Sequence, residues 1–244
     1  MHITFFNGSP RKDNGVTHLV ANHFLAGAKK AGAETDYIFL ERKKIQHCIG
    51  CFACWFKTPG KCAIKDDMQE LLDQYMRSDV VVFASPIYVG SVTGIMKNFI
   101  DRLLPIFDPR TQKDDKGRSY HLPRYEHYPD VVAISNGGNP DQAHFEYFRS
   151  IFDFMKIVYK MNIIGEIFIG GGFVLQGFVP GLENKIEQYM QLLQNCGEEI
   201  VQNRMLSKDT QQKLQEPLIP FGFLENKHEY ITVICGCIES NISL

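Results

Sequence analysis

No run of about eighteen apolar residues, the minimum for a membrane-spanning helix, occurs in the 244-residue chain, so no such helix is expected. Charge of one sign is also scarce. With 26 Lys and Arg against 28 Asp and Glu the formal net charge is −2, and no block of like charges stands out. Neither nucleic acid nor an anionic lipid surface is therefore expected as a partner. The opening Met1-His2-Ile3-Thr4-Phe5-Phe6 lacks the basic region, long apolar stretch and small-residue cleavage site of a secretory signal. Together with unpaired thiols this gives a cytoplasmic expectation. There is no G-x-G-x-x-G dinucleotide loop and no G-x-x-x-x-G-K phosphate loop. The 8 histidines form no H-x-x-H or H-E-x-x-H pair, and no serine sits in G-x-S-x-G, so hydrolase chemistry has no support. Internal repeats and low-complexity tracts are absent. What the chain does have is 7 cysteines. Four of them, Cys48, Cys51, Cys54 and Cys62, are too close together to staple a fold of this size, and they point to chemistry.

Short apolar runs alternate with segments of helical period, the pattern of a parallel sheet wrapped by helices. Strands are expected at 3–7, 37–40, 80–84, 131–134 and within 162–169. Helices are expected at 16–31, from Asp66-Asp67 onward, and at 93–104, 142–160 and 182–205. Val80-Val81-Val82-Phe83-Ala84 is continuously apolar, as a strand covered on both faces must be. Residues 105–128 are polar with little periodicity, and Asp108 to His127 within them is read as a solvated lid or dimer arm. Five strands alternating with helices give an α/β, flavodoxin-like, doubly wound parallel sheet of order 2-1-3-4-5. The expected domain covers 1–205, followed by a C-terminal extension over 206–244. In the extension, Ile231-Thr232-Val233-Ile234 is read as a strand or a partner-binding tail, and Cys235-Gly236-Cys237 as too tight for an easy disulfide.

In that strand order a ligand belongs at the carboxyl ends of strands 1 and 3. The loop after strand 1, Gly8-Ser9-Pro10-Arg11 through Thr17, runs into a helix N-terminus. The Ser9 and Thr17 hydroxyls and the Arg11 guanidinium suit a monophosphate there, and a plain turn with an N-cap is the competing reading. After strand 3, Pro86 stiffens the turn, Tyr88 offers an aromatic face and Gly90 permits close backbone approach, a combination fit for a flat heterocycle. After strand 4, Asn136-Gly137-Gly138 presents amides for a ring carbonyl. Each of the last two loops is also a plausible bare connector.

Gly8-Ser9-Pro10-Arg11, Ser85-Pro86-Ile87-Tyr88 and the Cys48-x-x-Cys51-x-x-Cys54 loop ending in Cys62-x-x-x-Asp66-Asp67-Met68 together resemble the NADPH-dependent FMN reductase family, in particular its iron-sulfur flavoprotein branch. The resemblance implies FMN held through its phosphate by Ser9, Arg11 and Thr17. Its ring would lie against Pro86, Ile87, Tyr88, Val89 and Gly90 and against Asn136, Gly137 and Gly138. It also implies a homodimer or homotetramer and hydride acceptance at flavin N5 from NAD(P)H, with no side-chain acid or base demanded. The acceptor would be a quinone, a nitro compound or free flavin. The first loop is one residue longer than the family's common pattern.

Three cysteines at two-residue intervals can turn toward one cluster face, and with Cys62 they complete four thiolates for a [4Fe-4S] cluster, the arrangement of the resembled branch. Reduced thiols packed in a loop, or zinc, are the other two states this loop admits. With a cluster, the alternative function is an electron carrier reduced by ferredoxin. A flavin-binding regulatory module without turnover is the third class. Cys196 is expected to pack a helix.

Overall fold

The computed structural model describes residues 1–219. The expectations for Ile231 to Ile234 and for Cys235 and Cys237 lie outside the described residues. In chain order the elements are β1 (His2–Asn7), α1 (Val16–Lys30), β2 (Glu34–Phe39), α2 (Ala53–Phe56), α3 (Met68–Arg77), β3 (Val80–Pro86) and α4 (Gly94–Asp101). They continue with β4 (Phe107–Lys113), β5 (Ser119–Pro123), β6 (Asp130–Asn136), α5 (Glu146–Val158), β7 (Ile163–Ile169), α6 (Glu183–Asn203) and α7 (Lys208–Leu214).

Five strands form one parallel sheet of order β2-β1-β3-β6-β7, the flavodoxin-like arrangement. Alternation within each strand splits the apolar side chains between two cores. Ile3, Phe5, Val80, Val82, Val132 and Ile134 pack under α1 and α6, while Phe6, Val81, Phe83, Val131 and Ala133 pack under α3, α4 and α5. The central strands are buried on both faces, which explains the unbroken Val-Val-Val-Phe-Ala run of β3. On the first face α1 and α6 meet backbone to backbone. A Cβ added to Gly27 would lie 1.9 Å from the Gln194 carbonyl oxygen, and one on Gly197 would lie 2.0 Å from that of Phe24. Cys196 is buried in this contact. Leu206, Leu214, Leu218 and Ile219 join the same core, so residues 206–219 pack onto the domain that precedes them.

Residues 105–128 depart from expectation. They contain an antiparallel hairpin, β4 with β5, forming its own two-stranded sheet. Only Phe107 in its strands is buried, so they carry no alternation of apolar residues for a periodicity argument to detect. Its turn is built by polar contacts instead: Asp114 Oδ1 accepts from the Lys116 and Arg118 amides. The cysteine segment, read as a loop, includes the single-turn helix α2.

Candidate functional site

The first loop is held at the carboxyl end of the sheet by backbone anchors. Gly8 N–H donates to the Ala84 carbonyl at 2.8 Å, and Thr93 Oγ1, which caps α4, donates to the Gly8 carbonyl at 2.6 Å. Asn7 Oδ1 accepts from the Ser9 amide at 2.8 Å, and Ser9 Oγ from the Arg11 amide at 3.3 Å. This folds the chain back over the start of α1. The N-cap there is Gly15, which has no side chain to cap the helix, so the first-turn amides of Val16 and Thr17 keep the positive end of the helix open. A Cβ on Gly15 would sit 2.9 Å from Ser9 Oγ and 3.3 Å from Arg11 Cβ. Glycine thus leaves a concavity beside the Ser9 hydroxyl and the Arg11 side chain, and the open amides of α1 at its edge suit an anionic oxygen group.

The three sequence-derived loops converge on this concavity. Ser9, Arg11, Gly15, Val16, Thr17, Pro86, Ile87, Tyr88, Asn136, Gly137, Gly138 and Phe173 line one cleft of 180 Å³. Asn136 Nδ2 donates to Thr17 Oγ1 at 2.9 Å, joining third loop to first and leaving the Thr17 hydroxyl hydrogen free for a ligand. Ile87 N–H donates to the Asn136 carbonyl at 2.9 Å, joining second to third. The enclosed volume is below the roughly 300–1,000 Å³ of an enveloping ligand pocket. The cleft therefore grips one end of a ligand and leaves the other bare.

Three of the expected ring contacts look different in three dimensions. The Gly137 amide donates to the Ile169 carbonyl at 3.0 Å and is engaged within the fold, whereas that of Gly138 has no backbone partner among the described residues. Val89 and Gly90 do not line the cleft. They form the tip of a tight turn in which Tyr88 and Ser91 exchange backbone hydrogen bonds of 2.9 and 3.1 Å, with φ of +50° at Val89 and +75° at Gly90. Positive φ at both central residues is a type I′ geometry that suits Asn-Gly, and a β-branched residue at the first position is strained. Val89 nevertheless presents its whole side chain to solvent beside the cleft.

The cysteine loop lies on the other side of α4. Trp55 Nε1 donates to the Leu104 carbonyl at 2.9 Å and its ring packs against His121 of the hairpin; Phe56 stays exposed. Cys54 is buried, Cys62 half-buried, and Cys48 and Cys51 exposed. Burial, and then the nearness of Cys62, Cys48 and Cys51, push the Cys54 thiol up to about 11. Four thiolates so close repel one another and coexist only around a positive centre, so the donor set has the right chemistry for a metal cluster. Among the described residues no three His, Cys, Asp or Glu side chains are already gathered to metal-holding distances.

Sequence reasoning missed Gly15, Val16 and Phe173 as cleft walls, and it missed the support of the cysteine loop. Arg102 and Asp66 form an ion pair with side chains only 1% and 3% exposed. A lone arginine among the apolar positions Phe99, Ile100 and Leu103 was the available signal. Cys48 and Gly50 also border an apolar groove of 570 Å³ walled by Ile100, Leu103, Leu104, Phe107, Ile151 and Phe154.

Residues 1–118 match the family described as NADPH-dependent FMN reductase. An iron-sulfur flavoprotein of Methanocaldococcus jannaschii is 33% identical over 175 residues, covering 71% of this chain and 77% of the relative. One of Archaeoglobus fulgidus is 32% identical over 174 residues, covering 71% and 68%. Among solved structures, an FMN-dependent NADH-azoreductase from Bacillus anthracis in complex with FMN superimposes with a TM-score of 0.59 at 15% identity, covering 82% of this chain and 99% of that one. This last similarity is one of fold.

Proposed function

The chain belongs to the NADPH-dependent FMN reductase family, in its iron-sulfur flavoprotein branch, and is an FMN reductase-type oxidoreductase; we propose that it binds FMN in the three-loop cleft and moves electrons from NAD(P)H to a small acceptor such as a quinone, nitro compound or free flavin. The observation that carries this reading is the convergence of Ser9, Arg11, Thr17, Pro86, Ile87, Tyr88, Asn136 and Gly138 on one cleft. Bound FMN supplies the redox chemistry, accepting a hydride and releasing electrons. Arg11, the Ser9 and Thr17 hydroxyls and the open amides of α1 hold the phosphate. The Pro86 to Gly90 turn flanks the ring, and Gly138 N–H donates to a ring carbonyl or to charge that builds up on the ring during reduction. The bare side of the cleft is the side on which a second subunit completes the site, in a homodimer or homotetramer. Mixing FMN-loaded protein anaerobically with NADPH or NADH tests the donor. Bleaching of the flavin absorbance is expected, and failure of both nicotinamides to bleach it defeats the reading.

The gathering of four thiols favours a second reading of the same chain, in which Cys48, Cys51, Cys54 and Cys62 hold a [4Fe-4S] cluster. In that case ferredoxin is the donor and single electrons reach the flavin by way of this loop. Iron and acid-labile sulfide assays on freshly prepared anaerobic protein decide it. Less than one iron per chain removes the cluster, and reduction by ferredoxin but by neither nicotinamide removes the first reading.

A further inference from the structure

Arg102, just after α4, is the largest fully buried side chain of the domain, and the three-loop cleft makes no use of it. A guanidinium carries five N–H donors in a rigid plane. Nη1 donates to the Gln46 carbonyl at 2.8 Å and to Asp66 Oδ2 at 2.8 Å, and Nη2 donates to Asp66 Oδ1 at 3.0 Å. The same Asp66 carboxylate accepts from the Gln46 amide at 2.8 Å. Gln46 lies two residues before Cys48 and Asp66 four residues after Cys62. One charged knot therefore ties together the two stems of the cysteine loop.

The rest of the guanidinium is unexplained by the knot. Nε is buried and has no hydrogen-bond partner; burial works against the guanidinium's charge, but Asp66 and, after it, Cys62 outweigh it and raise its pKa. A neutral thiol is a weak acceptor and draws no donor to itself strongly. A sulfur bearing the negative charge of a metal-bound thiolate is a strong one. A buried N–H left unpaired is costly enough to call for an explanation, and an anionic sulfur supplies one.

We propose that Arg102 is a positioning residue for the iron-sulfur centre: the edge bonded to Asp66 and Gln46 closes the cysteine loop, while the unpartnered Nε–H donates to the Cys62 sulfur. This rests on the reading that the four cysteines hold a cluster. A cationic donor on a ligand sulfur stabilises the electron-richer state, so Arg102 raises the reduction potential of the cluster.

The test uses the full chain, prepared anaerobically. Arg102→Gln combined with Asp66→Asn removes both charges of the buried pair together, so neither is left uncompensated, and Asp66→Asn alone is the reference that keeps the arginine. Midpoint potentials come from dithionite titrations followed by electron paramagnetic resonance, with iron per chain measured in parallel. The double variant is expected to be about tenfold less reduced than the reference at equal applied potential, about 59 mV for a one-electron couple. Equal potentials at equal iron content overturn the proposal, because a purely structural clamp would change loading and not potential. A second measurement needs neither variant. In protein labelled with ¹⁵N-arginine, the reduced cluster should show a ¹⁵N hyperfine coupling that survives Arg124→Lys, Arg124 being another arginine at the cysteine loop, its Cδ 3.8 Å from where a Cβ on Gly60 would lie. Its absence, or its loss in Arg124→Lys, overturns the assignment to Arg102. Less than one iron per wild-type chain defeats the cluster reading and this inference together, whereas a loaded cluster with unchanged potential defeats this inference alone.

Discussion

Arg11 is exposed, yet among the described residues it is the one cationic side chain lining the three-loop cleft. A charge-assisted hydrogen bond contributes about 1.5–3 kcal/mol, so Arg11→Ala should weaken FMN binding by about tenfold to a hundredfold. Quenching of flavin fluorescence on titration reads this directly, and an unchanged dissociation constant would remove Arg11 from the site. Val89 stands out in another way. Its φ of +50° places a β-branched residue in the left-handed region, a conformation that costs about 1–3 kcal/mol and recurs at functional sites. Val89→Asn fits the turn better and should raise unfolding stability by about 1 kcal/mol in urea. If Val89 borders the flavin ring, the same substitution weakens FMN binding. Nothing in the Tyr88-Val89-Gly90-Ser91 sequence announced the strain, since Val at a loop position carries no conformational label until the turn type is known.

Apart from single-turn α2 the cysteine loop has no regular structure, and a buried ion pair helps to hold its stems. Burial resists ionisation of Asp66, but the Arg102 guanidinium and the amides of Gln46 and Met68 outweigh it and hold the carboxyl below its ordinary value of 3.8. A carboxyl whose pKa is depressed in the folded state contributes stability that is present above 3.8 and is lost as the pH falls from there toward the lowered value. Removing one partner of a buried pair leaves the other uncompensated, so Asp66→Asn should cost about 3–5 kcal/mol at neutral pH. Thermal melts from pH 6 down to pH 2 should show wild type losing this increment in acid and the Asn variant lacking that part of the slope. Parallel slopes in the two proteins would mean that the pair does not stabilise the loop. Asp66-Asp67 reads in sequence as an acidic helix start, and Asp66 Oδ1 does accept from the Met68 amide at 3.1 Å. Its ion pair with a residue thirty-six positions away was not legible.

Across the whole molecule, two cores on opposite faces of one sheet hold the strand ends that carry the site. The core under α1 and α6 takes in residues beyond 205: Leu214 is 4% exposed and Leu218 is 2% exposed. Truncating a buried leucine typically costs about 2–5 kcal/mol. Leu218→Ala should therefore lower the unfolding free energy by that amount in denaturant titrations of the full chain. An effect within about 0.5 kcal/mol, the range of a surface change, would show that residues 206–219 are an appendage. The helical period of α6 and the apolar run of β3 were readable because each shows a strong periodicity or continuity. Short α7 and the exposed β4–β5 hairpin bury too little on one face to leave such a trace.

The amino-acid order alone determined the alternation of strands and helices, hence the parallel sheet, its switch point between β1 and β3, and the three loops that meet there. These follow from local periodicity and from turn residues, both of which are written within a few positions of one another. Only the tertiary structure decided which loop amides remain free, that Gly137 is engaged by Ile169 while Gly138 is not, that Val89 is strained, and that Arg102 ties Gln46 to Asp66 with one buried donor left over. Those facts concern partners far apart in the chain, whose pairing depends on how the two layers of helices close over the sheet.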